Sequence, residues 1–148
     1  MNDSSPIEIL IVEDNEDDLN MTLRALRKAN LANHIHVARD GAEALAYIHG
    51  TVEFPGHKLS HLPKLILLDL KLPKVDGLEV LKRIRNNPYT LTVPVVIMTS
   101  SKEQRDVVES YKLGVNSYIV KPVNFEGFSA AVQELGMYWL LLNQPPEI

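Results

Sequence analysis

Residues 65–77 read Leu65-Ile66-Leu67-Leu68-Asp69-Leu70-Lys71-Leu72-Pro73-Lys74-Val75-Asp76-Gly77. Four apolar residues in unbroken succession describe a strand covered on both faces, because a half-exposed strand alternates apolar with polar. The run stops at an acid. A few residues later Asp76, with Glu79 behind it, forms the capping box that opens a helix. The stretch is therefore one strand–loop–helix unit, and what decides the fold is how often that unit recurs.

It recurs along the whole chain. Working outward, short apolar runs stand at Ile7–Val12, His34–Ala38, Leu65–Leu68, Val93–Met98 and Ser117–Val120. Their starts are 24 to 31 residues apart, too far for hairpins and right for a strand, a helix and two loops. The first, third and fourth runs are nearly continuous in Ile, Leu and Val, whereas His34-Ile35-His36-Val37 alternates as an edge strand does. Between the runs, Leu19, Leu23 and Leu26 keep helical spacing. Asp40 with Glu43 and Ser101 with Gln104 are further capping boxes, and Gly114 marks a helix end. Five βα units in strict alternation predict an α/β fold, a doubly wound five-stranded parallel sheet with helices on both faces. His49–Lys64, with Gly50, Pro55, Gly56 and Pro63, reads as a long loop, a length usually tied to function or mobility.

The 148 residues allow one domain, read here as a single unit over 1–148 with a core over about 7–142 and a short tail over 143–148. With 15 basic against 19 acidic residues, the net charge of −4 argues against nonspecific nucleic-acid binding. The absence of cysteine excludes disulfides, thiolate nucleophiles and Cys-ligated metals. No signal-peptide pattern opens the chain and no apolar run reaches membrane-spanning length, so a cytoplasmic protein without membrane contact is expected.

Ligands of open α/β sheets bind beyond the carboxyl ends of the strands. The first run ends in Glu13-Asp14, the third in Asp69, the fourth in Thr99-Ser100 and the fifth in Lys121-Pro122. Taken singly, each has an ordinary explanation: a helix cap, a solvated helix start, a strand end, a surface lysine. Together they deliver three carboxylates, two hydroxyls and an ammonium to one edge. Two carboxylates about 4 Å apart repel by about 4 kcal/mol at an effective dielectric of 20. A hard divalent cation resolves that repulsion, and an all-oxygen set suits Mg2+. A carboxylate held there can attack a phosphoryl group while Lys121 and the Thr99 hydroxyl satisfy its oxygens.

The motifs Ile-Leu-Ile-Val-Glu13-Asp14-Asn, Leu-Leu-Asp69-Leu-Lys-Leu-Pro73-Lys-Val-Asp76-Gly77, Ile-Met-Thr99-Ser100 and Tyr118-Ile-Val-Lys121-Pro122 resemble, in order and spacing, the receiver domains of two-component response regulators. The resemblance covers residues of about 7 to 142. It implies a flavodoxin-like (CheY-like) fold with strand order 2-1-3-4-5 and a switch that a histidine kinase phosphorylates on Asp69. Asp14, Asp69 and the backbone carbonyl of Lys71 would bind Mg2+, with Glu13 acting mainly through a water. Thr99 and Lys121 would hold the phosphoryl group, Tyr118 would turn inward as Thr99 shifts, and Lys121-Pro122 would be a cis peptide. The chain would be no enzyme beyond promoting its own phosphorylation and dephosphorylation. Output would pass through the fourth helix, fifth strand and fifth helix. Lys71, where many receivers carry a smaller or amide side chain, implies an altered rate of phosphate loss.

Phe125, Phe128, Val132, Leu135, Trp139 and Leu142 form one helical stripe that docks the last helix. Leu135–Leu142 has no charge, and its surplus apolar residues Met137, Leu140 and Leu141 suggest a homodimer through this region. With no second domain following, output is expected through a partner protein or the kinase rather than DNA. The long loop and Tyr138-Trp139 are similar to small regulators paired with cyanobacterial-type phytochromes.

Three rivals remain. An aspartate-nucleophile phosphatase of the haloacid dehalogenase type needs an acid where Lys71 stands. A flavodoxin-like cofactor binder would meet repulsion from Glu13-Asp14-Asn15-Glu16-Asp17-Asp18. An unphosphorylated interaction module would have no use for the complete acid, hydroxyl and lysine set. The histidine pairs His34/His36 and His57/His61 read as ordinary surface residues rather than metal ligands.

Overall fold

The computed structural model describes residues 9–31, 34–53, 62–121 and 124–144. The elements alternate: β1 (Ile9–Val12), α1 (Glu16–Lys28), β2 (Ile35–Ala38), α2 (Gly41–Glu53), β3 (Leu65–Leu68), α3 (Gly77–Arg85), β4 (Val95–Thr99), α4 (Gln104–Lys112), β5 (Ser117–Val120) and α5 (Phe125–Met137). All strand pairs are parallel, in the order β2-β1-β3-β4-β5. The three inner strands are buried at every residue, as their unbroken apolar runs require, while the edge strands β2 and β5 are half-buried.

Alternation along the strands divides the core in two. Leu10, Val12, Ile66, Leu68, Val95 and Ile97 face α2 and α3 through Leu45, Ile48, Leu81 and Ile84. Ile9, Ile11, Leu65, Leu67, Val96 and Met98 face α1 and α5 through Leu19, Leu26, Phe128 and Val132. Neighbouring residues of one strand serve opposite layers because successive side chains point to opposite faces.

The caps follow sequence logic with one exception. Asp40 and Asp76 accept from the backbone N–H groups of Glu43 and Glu79 at 2.7 and 3.0 Å. Gly114 has a φ of +91°, the turn predicted for a helix end. The Ser101–Gln104 box does not form: α4 begins after Glu103, so Ser101 lies before the cap and its hydroxyl donates instead to Asp106 Oδ2 at 2.6 Å.

Other boundaries also move. β4 starts at Val95 rather than Val93, since Pro94 has no N–H to donate to a ladder, and it extends through Thr99. His49–Lys64 is not loop throughout, because α2 runs on to Glu53; residues 54–61, with His57 and His61, lie outside the described residues, as do Ile7 and Glu8. The last stripe breaks. The chain beyond α5 becomes a π-helical turn, Tyr138–Leu142, whose wider spacing turns Leu140 toward the core and leaves Leu142 72% exposed.

Candidate functional site

The carboxyl ends of β1, β3 and β4 and the residue after β5 meet at one edge of the sheet. The register places Val12 beside Leu68, so the next residues, Glu13 and Asp69, emerge together, and Asp69 N–H donates to the Val12 carbonyl at 3.1 Å. Lys121 arrives from the other side, its N–H on the Thr99 carbonyl at 2.8 Å. The loop after Asp69 is held close by Gly77: a Cβ there would lie 2.3 Å from the Asp69 carbonyl oxygen, so no larger residue fits without moving the site.

Lys121 Nζ spends all three of its donors on carboxylates, at 2.7 Å to Glu13 Oε1, 2.7 Å to Asp18 Oδ2 and 3.1 Å to Asp69 Oδ2. The Lys121, Glu13 and Asp69 side chains are nearly inaccessible, whereas Asp18 keeps about a quarter of its surface in water. Burial is the largest influence on Glu13 and presses it toward its neutral form; the Lys121 hydrogen bond opposes this, the adjoining Asp69 adds to it, and Glu13 titrates at about 7. Burial pushes Asp69 the same way. Hydrogen bonding with Glu13 and the Lys121 ammonium overcome that, leaving Asp69 below the usual carboxylate range. For Lys121, burial works against the charge, but bonds to Asp18 and Glu13 and the field of Asp69 raise its pKa above the ordinary value.

Ligand oxygens of Glu13, Asp14 and Asp69 lie within 4.8 Å of one another, with Asp14 on the exposed side. Three carboxylates that close, only two of them also bonded to the Lys121 ammonium, match the donor set of a hard divalent cation. Lys71 donates its N–H to Asp69 Oδ1 at 3.2 Å, while its side chain reaches away, Nζ lying 3.9 Å from Asp106 Oδ2.

Thr99 is completely buried at the end of β4, its hydroxyl oxygen accepting from Ser101 N–H at 3.4 Å. Tyr118 packs against the core and donates its hydroxyl to the Ser101 carbonyl at 3.0 Å. Burial, helped by the nearby Asp106, Asp69 and Glu103 anions, raises the Tyr118 pKa and keeps that hydroxyl protonated. Thr99 and Tyr118 thus share one contact, the backbone of Ser101. Pro122 lies outside the described residues, and with it the expected cis peptide.

The predicted set of Glu13, Asp14, Asp69, Lys71, Thr99 and Lys121 converges on this edge, with Tyr118 linked to it through Ser101. Sequence reasoning missed Asp18. An acid in the first turn of a helix ordinarily reads as a complement to the helix dipole, and nothing local signals a lysine 103 residues away.

Comparison with known proteins agrees with this geometry. Residues 9–133 match the family model described as the response regulator receiver domain. The chain is 40% identical over 141 residues to a probable methanogenesis regulatory protein, FilR2, of Methanothrix harundinacea, covering 95% of this chain and 88% of that protein. It is 39% identical over 142 residues to the response regulator Rcp1 of Synechocystis, covering 95% of each. Among solved structures, the phosphorylated cyanobacterial phytochrome response regulator RcpA superposes with a TM-score of 0.85 at 36% identity, over 97% of this chain and all of that one. The Mn2+-bound form of Rcp1 superposes with a TM-score of 0.80 at 37% identity, over 96% and 100%. Metal is thus bound in a homologous receiver. The family match over residues 9–133, the strand order and the acid-and-lysine cluster at the sheet edge together make this chain a member of the response regulator receiver domain family.

Proposed function

We propose that this chain is a phosphorylation-dependent signalling switch that accepts a phosphoryl group on Asp69 from a histidine kinase. The single observation that carries the reading is the Lys121 ammonium 3.1 Å from Asp69, inside a ring of carboxylates that lacks enough positive charge. An Asp69 oxygen would attack phosphorus as the N–P bond of the donor's phosphohistidine breaks and the imidazole departs. Asp69 suits this role because its low pKa keeps it ionised. Glu13, Asp14, Asp69 and the Lys71 carbonyl would hold Mg2+, which supplies positive charge against the carboxylates and the incoming phosphoryl oxygens. Lys121 and the Thr99 hydroxyl would then bind those oxygens.

Drawing Thr99 toward the phosphoryl group pulls on Ser101, and Tyr118 holds the same residue through its carbonyl. The surface of α4, β5 and α5 would carry the output to a partner protein. Tyr111, Met137, Tyr138, Leu141 and Leu142, each about half exposed or more, supply apolar area for that partner or for a second copy of the chain. Light scattering before and after phosphorylation distinguishes the two. The likeness to the phytochrome response regulator RcpA supports a phytochrome as the kinase. A single cytoplasmic receiver unit that acts as a switch rather than a catalyst fits all of this. Among the described residues no helix is long and apolar enough to cross a membrane.

Incubation with acetyl phosphate and Mg2+, followed by intact mass, tests the reading. One added phosphoryl group is expected in the wild type and none in Asp69→Ala. Equal labelling of the two would overturn it.

A further inference from the structure

Asp18 occupies a built position. It is the third residue of α1, and its backbone N–H is held by the Asn15 side chain at 2.9 Å while its carbonyl accepts from the Thr22 hydroxyl at 2.9 Å. An acid at this place normally reaches back to the N–H of the cap residue. Here Glu13 Oε2 already takes the Asn15 N–H, at 3.2 Å. Asp18 is thereby released from capping, and its carboxylate meets Lys121 Nζ at 2.7 Å.

The geometry points to Asp18 as a positioning residue that holds the Lys121 ammonium over the sheet edge and competes with a phosphoryl group on Asp69 for its donors. The inference rests on the phosphorylation reading above. A lysine has three N–H donors, and Glu13, Asp18 and Asp69 use them all. Phosphorylation brings three further acceptor oxygens and about −1.5 to −2 of charge into the same space. Each donor turned toward them is withdrawn from a carboxylate. Removing the Asp18 charge therefore ends both a competition for the ammonium and a repulsion of the phosphoryl group. Glu13 and Asp69 still hold Lys121 nearby, so both effects favour the phosphorylated form.

Two measurements on the full chain test this. In metal-free protein, the 15N resonance of the Lys121 ammonium reports how firmly its protons are held. At saturating Mg2+, titration with beryllofluoride, which bonds to a carboxylate oxygen as a phosphoryl mimic, reports the affinity of Asp69 for such a group. Asp18→Asn should speed exchange of the ammonium protons and tighten beryllofluoride binding roughly three- to tenfold, the worth of one charge-assisted bond partly open to water. Asp17→Asn removes the same charge from the same exposed helix turn and should move neither readout. Unchanged ammonium exchange in Asp18→Asn, unchanged or weaker mimic binding, or an equal response from Asp17→Asn would overturn the inference. A wild type that takes up no beryllofluoride refutes the phosphorylation reading and the competition with it. The ammonium signal then decides the positioning alone.

Discussion

Two cations tie loops together at opposite ends of this sheet, and they are held by opposite kinds of partner. At the carboxyl ends, Lys121 is surrounded by Glu13, Asp18 and Asp69, three acids for one ammonium. At the amino ends, Arg85 donates to the carbonyls of Gly114 and Val93 at 2.8 and 2.7 Å and to Asn116 Oδ1 at 2.9 Å. The same Asn116 oxygen accepts from Val95 N–H at 2.8 Å. Every partner of Arg85 is neutral and fixed in the backbone or beside it. Burial lowers the Arg85 pKa, but no neighbouring charge competes for it. The amino end is a closed joint. The carboxyl end holds excess negative charge, and a new cation or a phosphoryl group rearranges it.

Removing each cation in turn should expose this contrast. Lys121→Met leaves the carboxylates uncompensated, and at pH 8 without metal it should cost about 3 kcal/mol in urea unfolding. Saturating Mg2+ should restore most of that loss. Arg85→Met takes the donor from the part-buried Val93 carbonyl and should cost about 1 to 2 kcal/mol. Mg2+ should stabilise Arg85→Met and wild type alike and leave the gap between them unchanged, because the site that takes the metal is at the other end. Equal rescue of both variants would break the comparison.

The smallest effect is in pH dependence. Glu13 titrates at about 7 in the folded chain against an ordinary value of 4.5. Its folded pKa is raised, so the stability it contributes is fully present below about pH 4.5 and is lost as pH rises through about 7. Asp69 runs the other way, its depressed pKa adding stability above the ordinary aspartate range that is lost in stronger acid. Metal-free wild type should therefore weaken between about pH 5 and 8. Glu13→Gln should flatten that slope, and Arg85→Met should leave it as it is. A slope that survives Glu13→Gln would mean that another group titrates there.

Periodicity carried most of the fold. Unbroken apolar runs marked the inner strands, alternation marked β2, and Asp40 and Asp76 marked helix starts, because each is a local consequence of burial or of an unsatisfied N–H. The places where local reading failed share a cause. Ser101 abandons Gln104 for Asp106, and Leu140 replaces Leu142 in the core, because a nearby partner or a π turn outbid the regular pattern. Local pattern cannot rank competitors of similar strength.

The candidate site divides along the same line. The amino-acid order alone determined which chemical groups end the strands, since a parallel sheet sends every carboxyl end to one edge. Only the folded chain decided which acids share the ammonium. That choice hangs on distances of about 3 Å, over which a hydrogen bond is made or lost, between residues more than a hundred positions apart.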